Sequence, residues 1–146
     1  MTGCLVDTNI ICELRRGKTS HPNVVAWHAS VPPDQLHLTI ITIAEIRKGI
    51  ALLRKKEKKR AHQLTDWCNE LVSAYTGLNR LLGIDAGVAS AWGELMAIRT
   101  LPVLDGLLAA TAQHYQLTLI TRNEADFQGL PVTVFNPFNF QKSSTP

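Results

Sequence analysis

The chain has 146 residues, 45% of them hydrophobic, and a formal net charge of +3. That length suits one compact domain with a real core, and no apolar stretch approaches the ~20 residues that a membrane-crossing helix needs. The first residues carry neither a basic segment nor a long apolar one, so no signal peptide is expected. Cys4, Cys12 and Cys68 form no CxxC pair, which argues against a disulfide framework or a zinc site and for reduced thiols in the cytoplasm.

The elements follow in chain order. Residues 3–7, "GCLVD", read as a short strand whose unbroken apolar run implies cover on both faces. "TNIICELRR" opens a helix with Thr8 or Asn9 as its cap. Pro22 starts a second helix through about Val31, with Val24, Val25 and Trp27 as its apolar residues, and "VPPDQ" ends it. "LHLTII", 36–41, is a second strand. A helix from Thr42 follows, with Ile43, Ile46, Ile50 and Leu53 at helical spacing. Next comes "RKKEKKR", residues 54–60, the source of most of the charge: residues 1–73 hold 11 Lys+Arg against 7 Asp+Glu (+4), residues 74–146 hold 4 against 5 (−1). Six cations among seven residues cannot share one helical face. The run reads either as a solvated helix end or link, or as a contact for phosphates or a partner.

A further helix covers about 60–75. Residues 79–84 read as a short strand, and Asp85 caps a helix with Val88, Trp92 and Leu95 facing in. The helix in "LPVLDGLLAATAQHYQ" is expected to bury Leu104, Leu107, Leu108, Ala112 and Tyr115, and the last strands are 117–121 and 132–136. Strands alternate with helices and no hairpin signal joins two of them, so an α/β fold follows: a central parallel sheet flanked by helices, an α/β/α sandwich. A single domain over residues 1–138 with a disordered tail from 139 is expected.

In an open parallel sheet, sites form at the carboxyl ends of the strands. Asp7, Glu45, Asp105 and Asp126 each lie near an element end that such a sheet can bring to one edge. Singly, each has an ordinary alternative. Asp7 can cap the next helix; Thr42-Ile-Ala-Glu45 matches a capping box; Asp105 suits the first turn of a helix; Asp126 can cap a turn. Taken together, they describe a carboxylate cluster. Such acids repel unless a cation neutralises them, and oxygen ligands without histidine or cysteine suit Mg²⁺ or Mn²⁺. Such an ion can activate a water for in-line attack on phosphorus, so acids joined to a basic surface suggest phosphodiester hydrolysis in a nucleic acid.

Four blocks carry a resemblance. "LVDTNIICEL", "TIAEIRKGI", "LPVLDGLLAATA" and "LTLITRNEADFQGLPVTVFNPF" together resemble PIN-domain ribonucleases, and more narrowly VapC-type toxins of bacterial toxin–antitoxin pairs in the FitB-like branch. The resemblance runs from Leu5 to about Phe138. It implies a metal-dependent endoribonuclease that uses Mg²⁺ or Mn²⁺, pairs with an antitoxin protein, acts on RNA and forms a homodimer. Asp7 matches the first acid, Glu45 the acid of the "AE" motif and Asp105 the acid of the "P-x-x-D" helix. Many PIN domains have their fourth acid directly after "T-R", where this chain has Asn123; "RNxxDF" is a common variant in the branch it resembles, and Asp126 is the carboxylate of that motif. On physical grounds Thr8, Asn9 and Thr121 could hold Asp7 or a metal-bound water, and Arg47 and Lys48, within a turn of Glu45, could meet RNA phosphates or antitoxin acids. A catalytically inactive PIN domain that only binds nucleic acid or protein is the competing reading, and the three retained acids argue against it. An aspartyl-nucleophile phosphatase wants a second acid at position 9, which is Asn, and no P-loop motif is present.

Overall fold

In the computed structural model, which describes residues 3–142, the first strand is short and sealed: all three residues of β1 (Cys4–Val6) are buried. It lies at the centre of a five-stranded sheet of order β3-β2-β1-β4-β5, with β2 at Leu36–Thr39, β3 at Leu81–Leu82, β4 at Thr118–Ile120 and β5 at Val134–Phe135. Every pairing is parallel, and Cys4 faces Leu36 on one side and Thr118 on the other. Six helices make the connections: α1 (Thr8–Arg15), α2 (Pro22–Ser30), α3 (Ile40–Arg54), α4 (Lys58–Gly77), α5 (Ala86–Ile98) and α6 (Val103–His114). Successive side chains of a strand point to opposite faces. Accordingly Cys4 and Val6 enter one core with Trp27, Leu38, Ile46 and Cys68, while Leu5 enters another with Val88, Leu95, Leu108 and Leu119. The unbroken apolar run in β1 reflects these two cores, one on each face of the sheet, as the α/β/α expectation requires.

Several local expectations shift. Asp7, not Thr8 or Asn9, is the N-cap of α1. β2 stops at Thr39, whose hydroxyl accepts a hydrogen bond from the Ile41 N–H at 2.7 Å and so caps α3. Thr42 is therefore not a cap but a buried residue of the first turn of α3. On α2, Val24 and Trp27 are buried but Val25 is exposed. The basic run straddles the end of α3, a short link and the start of α4. The apolar face of α6 also differs from the expected stripe. Leu104 and Tyr115 are exposed, whereas Leu108, Ala109, Ala110 and Ala112 are buried. Here small residues, rather than the longest apolar ones, decide the buried face, because they let the backbone of α6 lie close to the sheet and to α5.

Gly106 marks the tightest point of that contact. A Cβ there would come within 2.9 Å of Trp92 Nε1 and 3.0 Å of the Met96 methyl carbon. After β5, a 3-10 turn at Pro137–Asn139 folds back. Phe138 and Phe140 pack against the first core, the Arg122 guanidinium carbon lies 4.4 Å from the Phe138 ring centroid, and Asn23 Nδ2 donates to the Phe138 carbonyl at 2.7 Å. The first part of the expected tail thus includes a packed residue, Phe140, while 143–146 lie outside the described residues. Among the described residues no single helix is long and apolar enough to cross a membrane. Gly106→Ala is expected to lower stability by about 1–3 kcal/mol, since the Trp92 ring has to move; urea denaturation checks it.

Candidate active site

Strand order reverses at β1: β2 and β3 extend to one side of it, β4 and β5 to the other. In open α/β sheets the crevice at such a switch point, beyond the carboxyl ends of the strands, is where ligands bind. Asp7 stands there, immediately after β1. Its N–H donates to the Ile120 carbonyl of β4 at 2.9 Å. Its side chain is only 9% exposed. Oδ1 accepts from the Thr8 N–H at 2.7 Å, and Oδ2 accepts from the Thr121 hydroxyl at 2.8 Å and from Asn9 Nδ2 at 3.2 Å. Asn9 and Thr121 are themselves held. Asn9 Oδ1 accepts from the Arg122 N–H at 3.2 Å, and Thr121 Oγ1 accepts from the Asn123 N–H at 3.1 Å. Capping α1 uses only Oδ1 of Asp7, which is why the capping reading and the site reading are compatible.

Glu45 lies in the second turn of α3 and is exposed. Because Thr39 caps this helix, the carboxylate is not folded back onto its own N-terminus; Oε1 instead accepts from the Thr8 hydroxyl at 3.0 Å. Asp105 is half-buried in the first turn of α6. Asp126 is exposed on a 3-10 turn, Glu124–Phe127, and shares a groove with Asp105 between that turn and the α5–α6 connection. Asn123 precedes the turn, where its carbonyl accepts from the Asp126 N–H at 3.0 Å; its side chain makes no capping bond.

The carboxyls of Asp7, Glu45 and Asp105 all sit above their ordinary pKa. Burial is the largest cause for each. The Thr121, Thr8 and Asn9 hydrogen bonds pull Asp7 partly back down while the charge of Asp105 raises it. The Thr8 hydrogen bond and Lys48 lower Glu45 against the charges of Asp7 and Asp105, and Asp126 raises Asp105. The structure therefore places Asp7, Glu45 and Asp105 within one another's fields, and Asp126 within that of Asp105. Arg47 is turned elsewhere: Nη2 donates to Asn69 Oδ1 of α4 at 2.5 Å, tying α3 to α4.

A second groove leaves the site beside Thr8 and Glu45. Its floor holds Ile46, Ile50 and Trp67, with Arg15, Arg16 and Arg60 along it, and the Arg15 guanidinium carbon is 5.4 Å from the Trp67 ring centroid. Sequence reasoning singled out Arg60, within the basic run, but not Arg15 or Arg16. The signal was present for one of them, since Thr8, Cys12 and Arg15 fall at the spacing of one helical face.

Among the described residues no group of three His, Cys, Asp or Glu side chains is close enough to hold a metal ion as one cage. The donor chemistry nevertheless fits a hard divalent cation. The ligands on offer are carboxylate oxygens whose charged forms are disfavoured by burial and by one another, and Mg²⁺ is ordinarily held by one or two carboxylates with several waters retained.

A PIN-domain family profile matches residues 4–131. The chain belongs to the PIN-domain family. Toxin FitB of Neisseria gonorrhoeae is 33% identical over 141 residues, covering 92% of this chain and 98% of that one. The solved structure of FitAcB from the same organism superposes with a TM-score of 0.81 over 94% of this chain and 99% of that one. Ribonuclease VapC of Rickettsia bellii is 36% identical over 132 residues, covering 88% of this chain and 91% of its own. A chain of a toxin–antitoxin complex from Klebsiella pneumoniae is 27% identical with a TM-score of 0.63, over 92% of this chain and 98% of that one.

The raised carboxyls have a consequence for stability. An acid whose folded pKa lies above its unfolded value favours folding while protonated, and that contribution is lost as pH rises from the unfolded value through the folded one. Metal-free protein should therefore lose stability across the upper carboxylate range. Asp105→Asn should melt higher than the parent at neutral pH. Added Mn²⁺ should raise the melting temperature of the parent more than that of the variant, in thermal unfolding followed by circular dichroism.

Proposed function

We propose that this chain is a metal-dependent endoribonuclease and the toxin of a toxin–antitoxin pair. The observation that carries the reading is the set of carboxylates at the end of β1 and on α3 and α6, each raised by burial, Asp7 also by Asp105 and Glu45 also by Asp7 and Asp105, with no arginine or lysine ion-paired to them among the described residues. The printed names of the relatives, a toxin and a ribonuclease, support the same activity.

Asp7, Glu45 and Asp105 would hold Mg²⁺ or Mn²⁺, with Asp126 or Asn123 completing the set. When bound, such an ion supplies positive charge for the developing phosphoryl oxygens and lowers the pKa of a water. The protein's own part is positional. Thr121, Asn9 and the Thr8 N–H fix both oxygens of Asp7, and the Thr8 hydroxyl links Glu45 to the same turn. Preorganised geometry of this kind lowers a barrier because little reorganisation remains at reaction. No histidine makes a hydrogen bond to any of the four acids' side chains among the described residues, so none is assigned as a base.

The partner is an antitoxin. The groove beside Glu45, apolar on its floor and rimmed by Arg15, Arg16 and Arg60, suits an apolar segment carrying acids, and a basic side chain of that segment would neutralise the carboxylates. Homodimerisation belongs to the same reading. Ile98, Val103 and Leu104, exposed at the α5–α6 connection, offer apolar surface for a second copy. The setting is the cytoplasm, where RNA and the partner are both present.

The partner-free protein should cleave RNA in Mg²⁺ or Mn²⁺, and both EDTA and Asp7→Asn should reduce cleavage about 10²–10³-fold or more, the lower bound being the scale on which removal of a principal electrostatic contact acts. Metal-independent cleavage, or full activity in Asp7→Asn, would sink the mechanism. A short reading frame for a DNA-binding antitoxin should adjoin this one, and its co-expression should restore growth to cells producing the toxin. Growth arrest that persists with that frame would argue against the pairing while leaving the nuclease reading intact.

A further inference from the structure

An acid-lined groove has to accommodate a polyanion if the site cuts RNA, and the groove between the α5–α6 connection and the Glu124–Phe127 turn contains one cation. Arg99 is the C-cap residue of α5. It lines the groove with Thr100, Leu101, Pro102, Asp105, Ala125 and Asp126. Two carboxylates are thus at hand, yet Arg99 pairs with neither: among the described residues it forms no ion pair. Its Nη2 donates to the main-chain carbonyl of Asp126, and its Nε is buried with no hydrogen-bond partner. A buried N–H left unpaired costs about 1–3 kcal/mol, and a guanidinium carries five donors in a planar fork matched to carboxylate and phosphate oxygens. Arg80 shares this state, with a buried unpaired Nε and a bond to the Pro33 carbonyl; what sets Arg99 apart is its place in a groove lined by two carboxylates.

We propose that Arg99 is a substrate-binding residue, the phosphate contact of the acidic groove. Its bond to the Asp126 carbonyl sets the turn that carries Asp126, and its remaining donors take a phosphodiester of RNA lying along the carboxylate edge. The inference rests on the ribonuclease reading above and assigns its substrate a point of attachment. It also accounts for how an edge of repelling carboxylates accepts a polyanion: the counter-charge comes from the α5–α6 connection, on the side of the site away from the arginines of α1 and α4.

Two substitutions separate charge from position. In Arg99→Gln the charge is gone while a polar side chain remains; Arg99→Lys keeps the charge without the fork. Binding of a single-stranded RNA oligonucleotide to the full, partner-free chain is measured by fluorescence anisotropy in EDTA, so that no cleavage occurs. Each phosphate contact contributes about 0.7 to the slope of log K against log salt for a single strand. Arg99→Gln should bind about tenfold more weakly, with the slope reduced by about 0.7, and its KM for cleavage in Mn²⁺ should rise more than its kcat falls. Arg99→Lys should keep the slope. If Arg99→Gln does not fold, as judged by circular dichroism, phenylglyoxal labelling of the parent decides: RNA should protect Arg99 from modification. An unchanged affinity and slope in folded Arg99→Gln, or unprotected Arg99 in the parent, would overturn the proposal. Failure of the ribonuclease reading looks different: the parent binds RNA but does not cut it in Mn²⁺.

Discussion

The hydrogen bonds that join Asp7 to the end of β4 hold the site together. The Asp7 N–H reaches the Ile120 carbonyl and the Thr121 hydroxyl reaches Asp7 Oδ2, so the strand pair at the switch point and the buried carboxylate are fixed by the same few atoms. Everything else in the site is referred to that junction. Asn9 bridges from α1 to Arg122, Thr8 extends the frame to Glu45 on α3, and Asn123 follows Thr121 through the hydroxyl that also serves Asp7. A buried carboxylate is costly without partners. Here the partners are short polar side chains at strand and helix ends, where rigid elements hold them.

The same arrangement leaves the protein under electrostatic tension. Burial and neighbouring carboxylates raise Asp7, Glu45 and Asp105; Lys48 relieves Glu45 only in part, and among the described residues no arginine or lysine forms an ion pair with the three. Proteins commonly carry destabilised sites of this type where function requires them. The cationic groups lie at the margins: Arg15, Arg16 and Arg60 along one groove and Arg99 in another. Charges ion-paired to the acids would also exclude a metal ion, so the lack of such pairs among the described residues is consistent with the chemistry proposed.

The parallel sheet was legible in the sequence because alternating apolar strands and amphipathic helices leave few other solutions, and β1 betrayed its two-sided burial by lacking alternation. Asp7, Glu45 and Asp105 were legible as residues at element ends. What could not be read was local. Thr42-x-x-Glu45 has the form of a capping box, yet Thr39 takes the cap because β2 ends two residues sooner than its apolar run does. On α6, hydrophobicity pointed to Leu104 and Tyr115, but the approach of α5 selects the small side chains. Arg99 gave no signal at all. Its importance depends on a carbonyl 27 residues away, and no periodicity within a helix reports a contact across a groove.

The distance along the chain between Asp7 and Thr121 bears on when the site comes into being. The two residues are 114 positions apart, and the chain emerges from the ribosome amino end first. During synthesis β1, β2 and β3 can associate while Asp7 still lacks the strand, the hydroxyl and the backbone acceptor that hold it. Pairing so remote in sequence also closes late in folding, because the loop entropy must be overcome first. A chain stalled or truncated before β4 therefore carries the first three acids without the frame that fixes them. Such a product is incomplete at its centre, although most of its length has already been made.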